Sequence, residues 1–395
     1  MIRLAVVNHH GGTPGGGEIS LFLQLEALPP DIEPHIFLLE DGEFADLLRS
    51  RFRSVTIVPM SGSMARSTRS RPKLSGMLAT PAFALRLAKH LRAVEPDVVL
   101  TNSMKAHIVG SLAAKALGLP CINNVRDIPT GFARLVTREI SRACSTERMT
   151  CSKAAAESLD LPQTTVLYSP IDLSKYTTLP SRGEAREKMG IPDDGLPVVS
   201  LVGRIARWKG QDRFLRAAAL VRKEIDAHFV VAGSPIFGND AGFYPELQAL
   251  VAEQKAEARV HFVPWQDDPR YVYAASDMSC NCSEREPFGR TIIEAMACGV
   301  PVVAFADAGA CEAFTDGESG AKVPAGDEAA YAAAILGFLR DPARLQSARA
   351  AAVRDAAAFE ITHLAKVFRA VVYRAAAPLA PPGQQTQPSL GVYRS

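Results

Sequence analysis

Apolar residues fall in short continuous runs separated by longer stretches with helical spacing, and this alternation sets the expected architecture. The first run, Ile2 to Asn8, is apolar without alternation, which suits a strand buried on both faces of a parallel sheet. A glycine-rich segment, His9-His10-Gly11-Gly12-Thr13-Pro14-Gly15-Gly16-Gly17, leads from it into residues 18–25, whose apolar positions have a helical period. Strand, glycine loop and helix in that order read as the opening of a Rossmann-like unit, where a polar or anionic ligand meets the helix N-terminus. Further strands are predicted at 35–39, 55–58, 97–101, 121–125, 149–151 and 165–168, with helices at 83–94, 105–117 and 132–144.

The pattern then breaks. Tyr168-Ser169-Pro170-Ile171-Asp172 reads as a crossing out of the first domain, because Pro170 cannot continue a central strand, and little periodicity follows as far as Pro197. A second alternating set begins with strands predicted at 198–202, 228–232, 259–263, 277–282 and 302–305, and helices at 211–224, 244–257 and 327–339. Two consecutive doubly wound α/β units predict a cleft faced by the carboxyl ends of their strands. Helices at 344–358 and 363–375 complete the pattern, and the Pro- and Gln-rich composition beyond Ala377 predicts a disordered tail over 377–395. The expected domains are 1–172 and 173–358.

Composition narrows the class. A chain of 395 residues is long for one core, and 47% hydrophobic with 22% charged residues describes an ordinary globular protein. With 44 basic and 42 acidic residues the net charge is +2, which gives no reason to expect a nucleic-acid partner. No apolar run reaches the roughly 20 residues that span a bilayer, and the N-terminus enters a strand without a signal-peptide pattern, so a cytoplasmic location is expected. Seven cysteines, an odd number without CxxC spacing, read as free thiols rather than a disulfide framework or zinc site. Cys280-Asn281-Cys282 turns both sulfurs to one face of a strand, for which core packing is the favoured use. A basic interruption carrying Arg66, Arg69, Arg71 and Lys73 reads as a solvated loop, with loose contact to a membrane surface as its alternative. The early glycine loop has neither the dinucleotide GxGxxG spacing nor a Walker A pattern, which disfavours a dehydrogenase or a P-loop nucleotidase.

Candidate chemistry concentrates between Cys282 and Val303, a strand end, polar loop, helix, glycine stop and strand. Glu286 precedes the helix, Phe288-Gly289 falls at its first turn, and Glu294 follows roughly 7–8 Å along the axis from Gly289. Free amides and the helix dipole there favour an anionic or oxygen-rich ligand. The two carboxylates could grip two ends of one polar molecule; alternatively, Glu294 is a helix surface residue and Glu286 a dipole partner. A second constellation follows the first strand of the second domain: Gly203-Arg204-Ile205-Ala206-Arg207-Trp208-Lys209-Gly210. An arginine fork and a lysine point charge in a strand-to-helix loop suit neighbouring phosphates. Asp193-Asp194 and Asp267-Asp268 sit beside proline or glycine and read as structural, so no metal site is expected.

Gly-Arg-x4-Lys-Gly at 203–210, combined with Glu-x7-Glu within Ser-Glu-Arg-Glu-Pro-Phe-Gly-Arg-Thr-Ile-Ile-Glu-Ala-Met-Ala-Cys-Gly-Val-Pro-Val-Val-Ala, resembles glycosyltransferase family 4, retaining enzymes of the GT-B fold that use sugar nucleotides. In the first half the likeness rests on the glycine loop ending Gly16-Gly17-Glu18 and on Asp97 to Ile108 followed by Gly118-Leu119-Pro120. The resemblance implies an acceptor-binding first domain, a donor-binding second domain, and a helix at about 359–376 returning to the first. It implies that Arg204 and Lys209 hold the donor diphosphate in place of a metal, that Glu294 accepts hydrogen bonds from the ribose hydroxyls, that Glu286 and the amides around Phe288 and Gly289 contact the transferred sugar, and that Arg290 lies on the donor side. Gly16 and Gly17 fall on the donor side of the same pattern, and Asp172 in its domain-crossing segment is structural.

One departure is evident. Many relatives carry a histidine after the strand equivalent to 121–125, where this chain reads Asn123-Asn124-Val125-Arg126-Asp127. Arginine cannot act as a base near neutral pH, so Arg126 would bind donor or acceptor oxygens, with Asp127 beside it. His107 competes for that role against a structural use on its helix, and His9, His10 and Glu18 are acceptor-side candidates. The expected function is transfer of a hexose or N-acetylhexosamine from a UDP-linked donor, a co-substrate rather than a cofactor, to a hydroxyl acceptor in polysaccharide, glycolipid or natural-product synthesis. A sugar-nucleotide epimerase or hydrolase of the same fold, and a non-catalytic sugar-nucleotide-binding subunit, are the alternatives.

Overall fold

The computed structural model describes residues 1–60, 62, 74–235 and 242–377, with the backbone only for 74–78. Arg66, Arg69, Arg71 and Lys73, and the tail from 378, lie outside the described residues. The chain divides into two compact units, Met1–Pro170 together with the segment from Ile361, and Ile171–Glu360.

In the first unit the elements run β1 Ile2–Asn8, α1 Gly16–Glu26, β2 Ile32–Leu38, α2 Glu43–Arg49, β3 Val55–Ile57, α3 Leu74–Ala93, β4 Val98–Thr101, α4 Met104–Ala116, β5 Cys121–Val125, α5 Gly131–Cys144, β6 Glu147–Thr150, α6 Lys153–Leu159 and β7 Thr164–Val166. Its seven strands are ordered β3-β2-β1-β4-β5-β6-β7, and every pairing is parallel. The apolar run of β1 is buried because both faces are covered: Ala5 and Val7 join Leu87, Leu91 and Val109 from α3 and α4 in one cluster.

The second unit runs through β8 Val198–Val202, β9 His228–Ala232, β10 Val260–Val263, β11 Met278–Asn281, β12 Val302–Phe305 and β13 Gly320–Val323, in the spatial order β10-β9-β8-β11-β12-β13. Its helices are α7 Arg182–Met189, α8 Gln211–Val221, α9 Phe243–Glu253, α10 Arg270–Ala275, α11 Arg290–Ala297, α12 Glu328–Leu339 and α13 Pro342–Ala356. Residues of β9 alternate between two cores: Phe229 and Val231 pack with Phe214, Leu215 and Ile335, while Val230 and Ala232 pack with Ala185, Met189 and Val272. Two doubly wound parallel sheets are thus present, as the alternation predicts.

The last helix, α14 Ile361–Ala376, belongs to the first unit. Phe368, Val371 and Val372 are buried, Tyr373 donates to Asp31 at 2.8 Å, and Arg374 reaches Glu147 at 2.9 Å. The two ends of the second unit meet each other, with the Ile171 amide donating to the Phe359 carbonyl at 2.9 Å and Leu173 to Glu360 Oε2 at 3.0 Å. Among the described residues no helix is long and apolar enough to cross a membrane.

Several elements depart from the periodicity reading. The stretch before Pro197 contains α7, whose start is a capping box: Glu184 Oε2 accepts from the Ser181 amide at 2.9 Å while Ser181 Oγ accepts from the Glu184 amide. Strand β13 and the short helices α2, α6 and α10 are additions too, each too brief or too polar to impose a period.

At the foot of β11, Asp277 is nearly buried. Its carboxylate accepts from Arg182 at 2.8 and 2.6 Å, from Arg349 at 2.7 Å and from the Val198 amide at 2.9 Å. Burial opposes its ionisation, but these donors outweigh burial and hold its pKa below the usual carboxylate value. That contribution to stability is complete above pH ~4 and is lost as the pH falls through the lowered folded value. Asp277→Ala leaves two arginines and an amide without their acceptor and should destabilise the chain by about 3 kcal/mol in urea unfolding; a loss under about 0.5 kcal/mol would show that the arginines find other partners.

Candidate functional site

Unit 2 brings its two sequence constellations together at the carboxyl ends of adjacent strands β8 and β11. The loop after β8 closes in a 3-10 turn, Arg207–Lys209, and ends at Gly210, whose φ of +70° few side chains tolerate. A β-carbon there would lie 2.1 Å from the Cys282 carbonyl oxygen, so glycine permits backbone contact between the two loops. The Glu284 amide donates to the Trp208 carbonyl at 2.7 Å and ties them further. As a result Lys209 Nζ donates to Glu286 Oε2 at 2.6 Å, with side-chain exposures of 16% and 7%. Trp208 presents its ring to both cations, 4.2 Å from Lys209 Nζ and 5.9 Å from the Arg204 guanidinium carbon. The Arg204 carbonyl accepts from Gln211 Nε2 at 2.9 Å, which anchors the loop on the first turn of α8.

The loop after β11 is held from its other side by the loop after β12. Arg285 donates its amide to Asp307 at 2.8 Å, and the Gly309 amide donates to the Glu286 carbonyl at 2.9 Å. Phe288 is buried edge-on against Phe359, 5.2 Å between centroids. Gly289, at φ +86°, turns the chain into α11. Arg290 Nη2 then donates to Glu294 Oε1 at 3.0 Å, and Tyr273 donates its hydroxyl to the Thr291 carbonyl at 3.0 Å. Burial pushes the Glu294 carboxyl above its usual range, against the opposing pull of Arg290. The alternative reading of Glu294 as a helix surface residue is therefore not found: it is a largely covered carboxylate with its own cation. Glu286 pairs with Lys209 and Glu294 with Arg290, so one helix start carries two separate ion pairs. Cations, an aromatic face and a helix start at strand ends can hold an anion bearing hydroxyl groups.

In unit 1 the remaining candidates sit beyond the ends of the neighbouring strands β1, β4 and β5. The His9 amide bonds Ser103 Oγ at 3.1 Å, and the His10 ring lies between Glu40 Oε2 at 3.1 Å and the Thr13 carbonyl at 3.0 Å. Gly16 and Gly17 open α1; a β-carbon on Gly17 would meet nothing within 4 Å, which leaves that turn open to a ligand. Glu18 accepts from the Gly15 amide at 3.1 Å, so its carboxylate caps the helix. His107 is buried, its Nδ1 2.7 Å from Thr101 Oγ1, in a network with Asn123 and Ser111 that accounts for it structurally. Arg126 reaches Ser169 Oγ at 2.5 Å, and Asp127 beside it is half-buried.

Sequence reasoning passed over a chain of buried amides at these same strand ends. Asn124 donates to Asn102 at 2.9 Å and, at 3.4 Å, to Gln24; Asn102 donates to Asn8 at 3.4 Å, and Asn8 to the His10 carbonyl at 2.8 Å. Trp208, Tyr176, Tyr273 and Asp307 were passed over as well. One aspartate of each pair is engaged by a cation or histidine: Asp268 by Arg270 at 2.8 Å and Asp194 by His228 at 3.2 Å. Among the described residues no group of three His, Cys, Asp or Glu is placed to hold a metal ion. Gly210→Ala forces an L-residue into the left-handed region and against the Cys282 carbonyl, and should cost about 2 to 4 kcal/mol in thermal unfolding. An alanine variant as stable as the parent would mean that the two loops do not meet.

The sequence model of the glycosyl transferases group 1 matches residues 181–355, which spans both constellations. The D-inositol 3-phosphate glycosyltransferase of Mycolicibacterium gilvum is 39% identical over 202 residues, a match covering 50% of this chain and 43% of that relative. D-inositol 3-phosphate glycosyltransferase 1 of Catenulispora acidiphila is 30% identical over 305 residues, 70% of this chain and 72% of its own length. Among solved structures, Anabaena Alr3699/HepE in complex with UDP-glucose superposes with a TM-score of 0.82 at 24% identity, covering 95% of this chain and 100% of that one. Sucrose-phosphate synthase from Thermosynechococcus elongatus does so with a TM-score of 0.78 at 21% identity, over 95% and 98%. The chain belongs to the group 1 glycosyl transferases.

Proposed function

We propose that this protein is a retaining, family 4 type glycosyltransferase that moves a hexose or N-acetylhexosamine from a UDP-linked donor to a hydroxyl acceptor. The observation that carries the proposal is the Lys209–Glu286 contact at 2.6 Å, formed beside Arg204 and at the start of the helix that bears Glu294. Breaking the anomeric bond builds positive charge on the sugar and negative charge on the departing diphosphate. Fixed cations at the leaving group stabilise that change most effectively when little water screens them. Arg204 and Lys209 take the diphosphate in this reading, Glu286 turns from Lys209 toward the sugar, and Glu294 receives the ribose hydroxyls. The paired-glutamate pattern favours retention. Arg126, held by Ser169, binds oxygens of donor or acceptor and supplies no base.

The uridine donor is supported by the likeness to Anabaena Alr3699/HepE, which was solved with UDP-glucose. The names of the relatives make D-inositol 3-phosphate the first acceptor to offer. UDP-glucose and UDP-N-acetylglucosamine should each be tried for a thermal shift and for UDP release with and without that acceptor. Lys209→Ala should lower turnover by about a hundredfold or more, the scale of losing one preorganised charge contact at a leaving group. Full activity in Lys209→Ala would place the diphosphate elsewhere, and UDP release unaffected by any acceptor would make the protein a hydrolase.

A further inference from the structure

Arg290 occupies the first position of α11, where the helix dipole disfavours a cation. Its pairing with Glu294 runs arginine before glutamate at i,i+4, the weaker orientation for helix stability. Both side chains are largely covered, 11% and 14% exposed, so the pair also bears a desolvation cost. Local helix energetics therefore do not account for an arginine here, and a role toward Glu294 does. We propose that Arg290 is a positioning residue for donor binding: its guanidinium fixes the Glu294 carboxylate in the orientation that receives the hydroxyls of the donor ribose. This inference rests on the donor reading given above.

The surroundings of Glu294 make Arg290 its decisive partner. Tyr176, from the 3-10 turn Leu173–Tyr176, and Tyr273, from α10, face it; burial first, and then the charge of Glu294, push both phenols above their usual range, so both stay neutral. Tyr273 already donates its hydroxyl to the Thr291 carbonyl. The Cys298 thiol, at the end of α11, is pushed up for the same two reasons. Arg270 lies close to this group, but it is bound to Asp268 through two contacts of 2.8 Å. Arg290 engages Oε1, and the carboxylate retains acceptor capacity for hydroxyl donors. Without that cation, burial alone governs Glu294; its charge is then lost at a higher pH, and a protonated carboxyl offers a poorer double acceptor.

The test is UDP affinity of the full chain by calorimetry between pH 5.5 and 8.5. Arg290→Met should weaken UDP binding about tenfold or more at pH 7.5, and its affinity should fall further toward pH 5.5 while the parent changes little. Arg290→Lys should restore most of the affinity. In a Glu294→Gln background, where no carboxylate remains to be positioned, Arg290→Met should add no more than about a twofold loss. Arg290→Gln, which keeps length and hydrogen bonding without charge, replaces the methionine variant if that one does not fold. An undiminished affinity in Arg290→Met would overturn the inference. So would an equal loss in the Glu294→Gln background, which would mean that Arg290 touches the donor itself. A parent protein that binds no UDP overturns the donor reading and this inference with it.

Discussion

The carbonyl oxygen of Cys282 lies 2.1 Å from where a β-carbon on residue 210 would have to be, and the candidate site of unit 2 is built outward from that contact. Loops beyond the ends of parallel strands have no ladder hydrogen bonds to hold them in place, so their relative positions must be set some other way. Here the backbones touch at Gly210 and Cys282 and are stitched again by Glu284 to Trp208. The chain of links continues to the next strand through Arg285 and Asp307 and through Gly309 and the Glu286 carbonyl. Three loops after the adjacent strands β8, β11 and β12 thereby form one wall, on which Lys209 meets Glu286.

The charges on this wall are held at an energetic disadvantage. A surface pair such as Arg207–Glu246 keeps its hydration, whereas Lys209–Glu286 and Arg290–Glu294 are mostly covered. Buried pairs seldom add net stability relative to apolar residues of the same size. What they add is a strong local field, because each charge acts through little intervening water.

Legibility followed the length and regularity of each signal. The buried strands at 198–202, 228–232 and 302–305 were readable to the residue because each is a bounded, mostly apolar run. Gly203 to Gly210 and Glu286 to Glu294 stood out because charged residues recur there at fixed spacing around glycine turns, and the fold brings the two stretches together at adjacent strand ends. Helix α7 was not, since Arg-Gly-Glu-Ala-Arg-Glu-Lys-Met has no apolar stripe; only the Ser181 and Glu184 capping box announced it. The i,i+4 relation of Arg290 and Glu294 is plain in the sequence, but their burial is not, because Tyr176 and Tyr273 that help to cover them come from segments far away in the chain. Asn8, Asn102 and Asn124 could not be linked until the register put β1, β4 and β5 side by side.

That amide chain bears on how each unit holds the end of its sheet where ligands are expected. In unit 1, side-chain amides from three adjacent strand ends bond across the sheet, with Gln24 of α1 joining them. In unit 2 the Tyr331 hydroxyl accepts from the Asn281 amide and donates to the Val303 carbonyl, spanning β11 and β12 from a helix on the core side. It lies against Cys280 and Cys282, whose thiols burial pushes upward, so this cluster stays uncharged. Amides offer donors and acceptors on both sides and leave further polar capacity toward the loops, whereas a phenol closes the end of the sheet and leaves the charges to Lys209, Glu286, Arg290 and Glu294. The buried amides of unit 1 make an uncharged strand end, whereas the strand end of unit 2 carries fixed ion pairs.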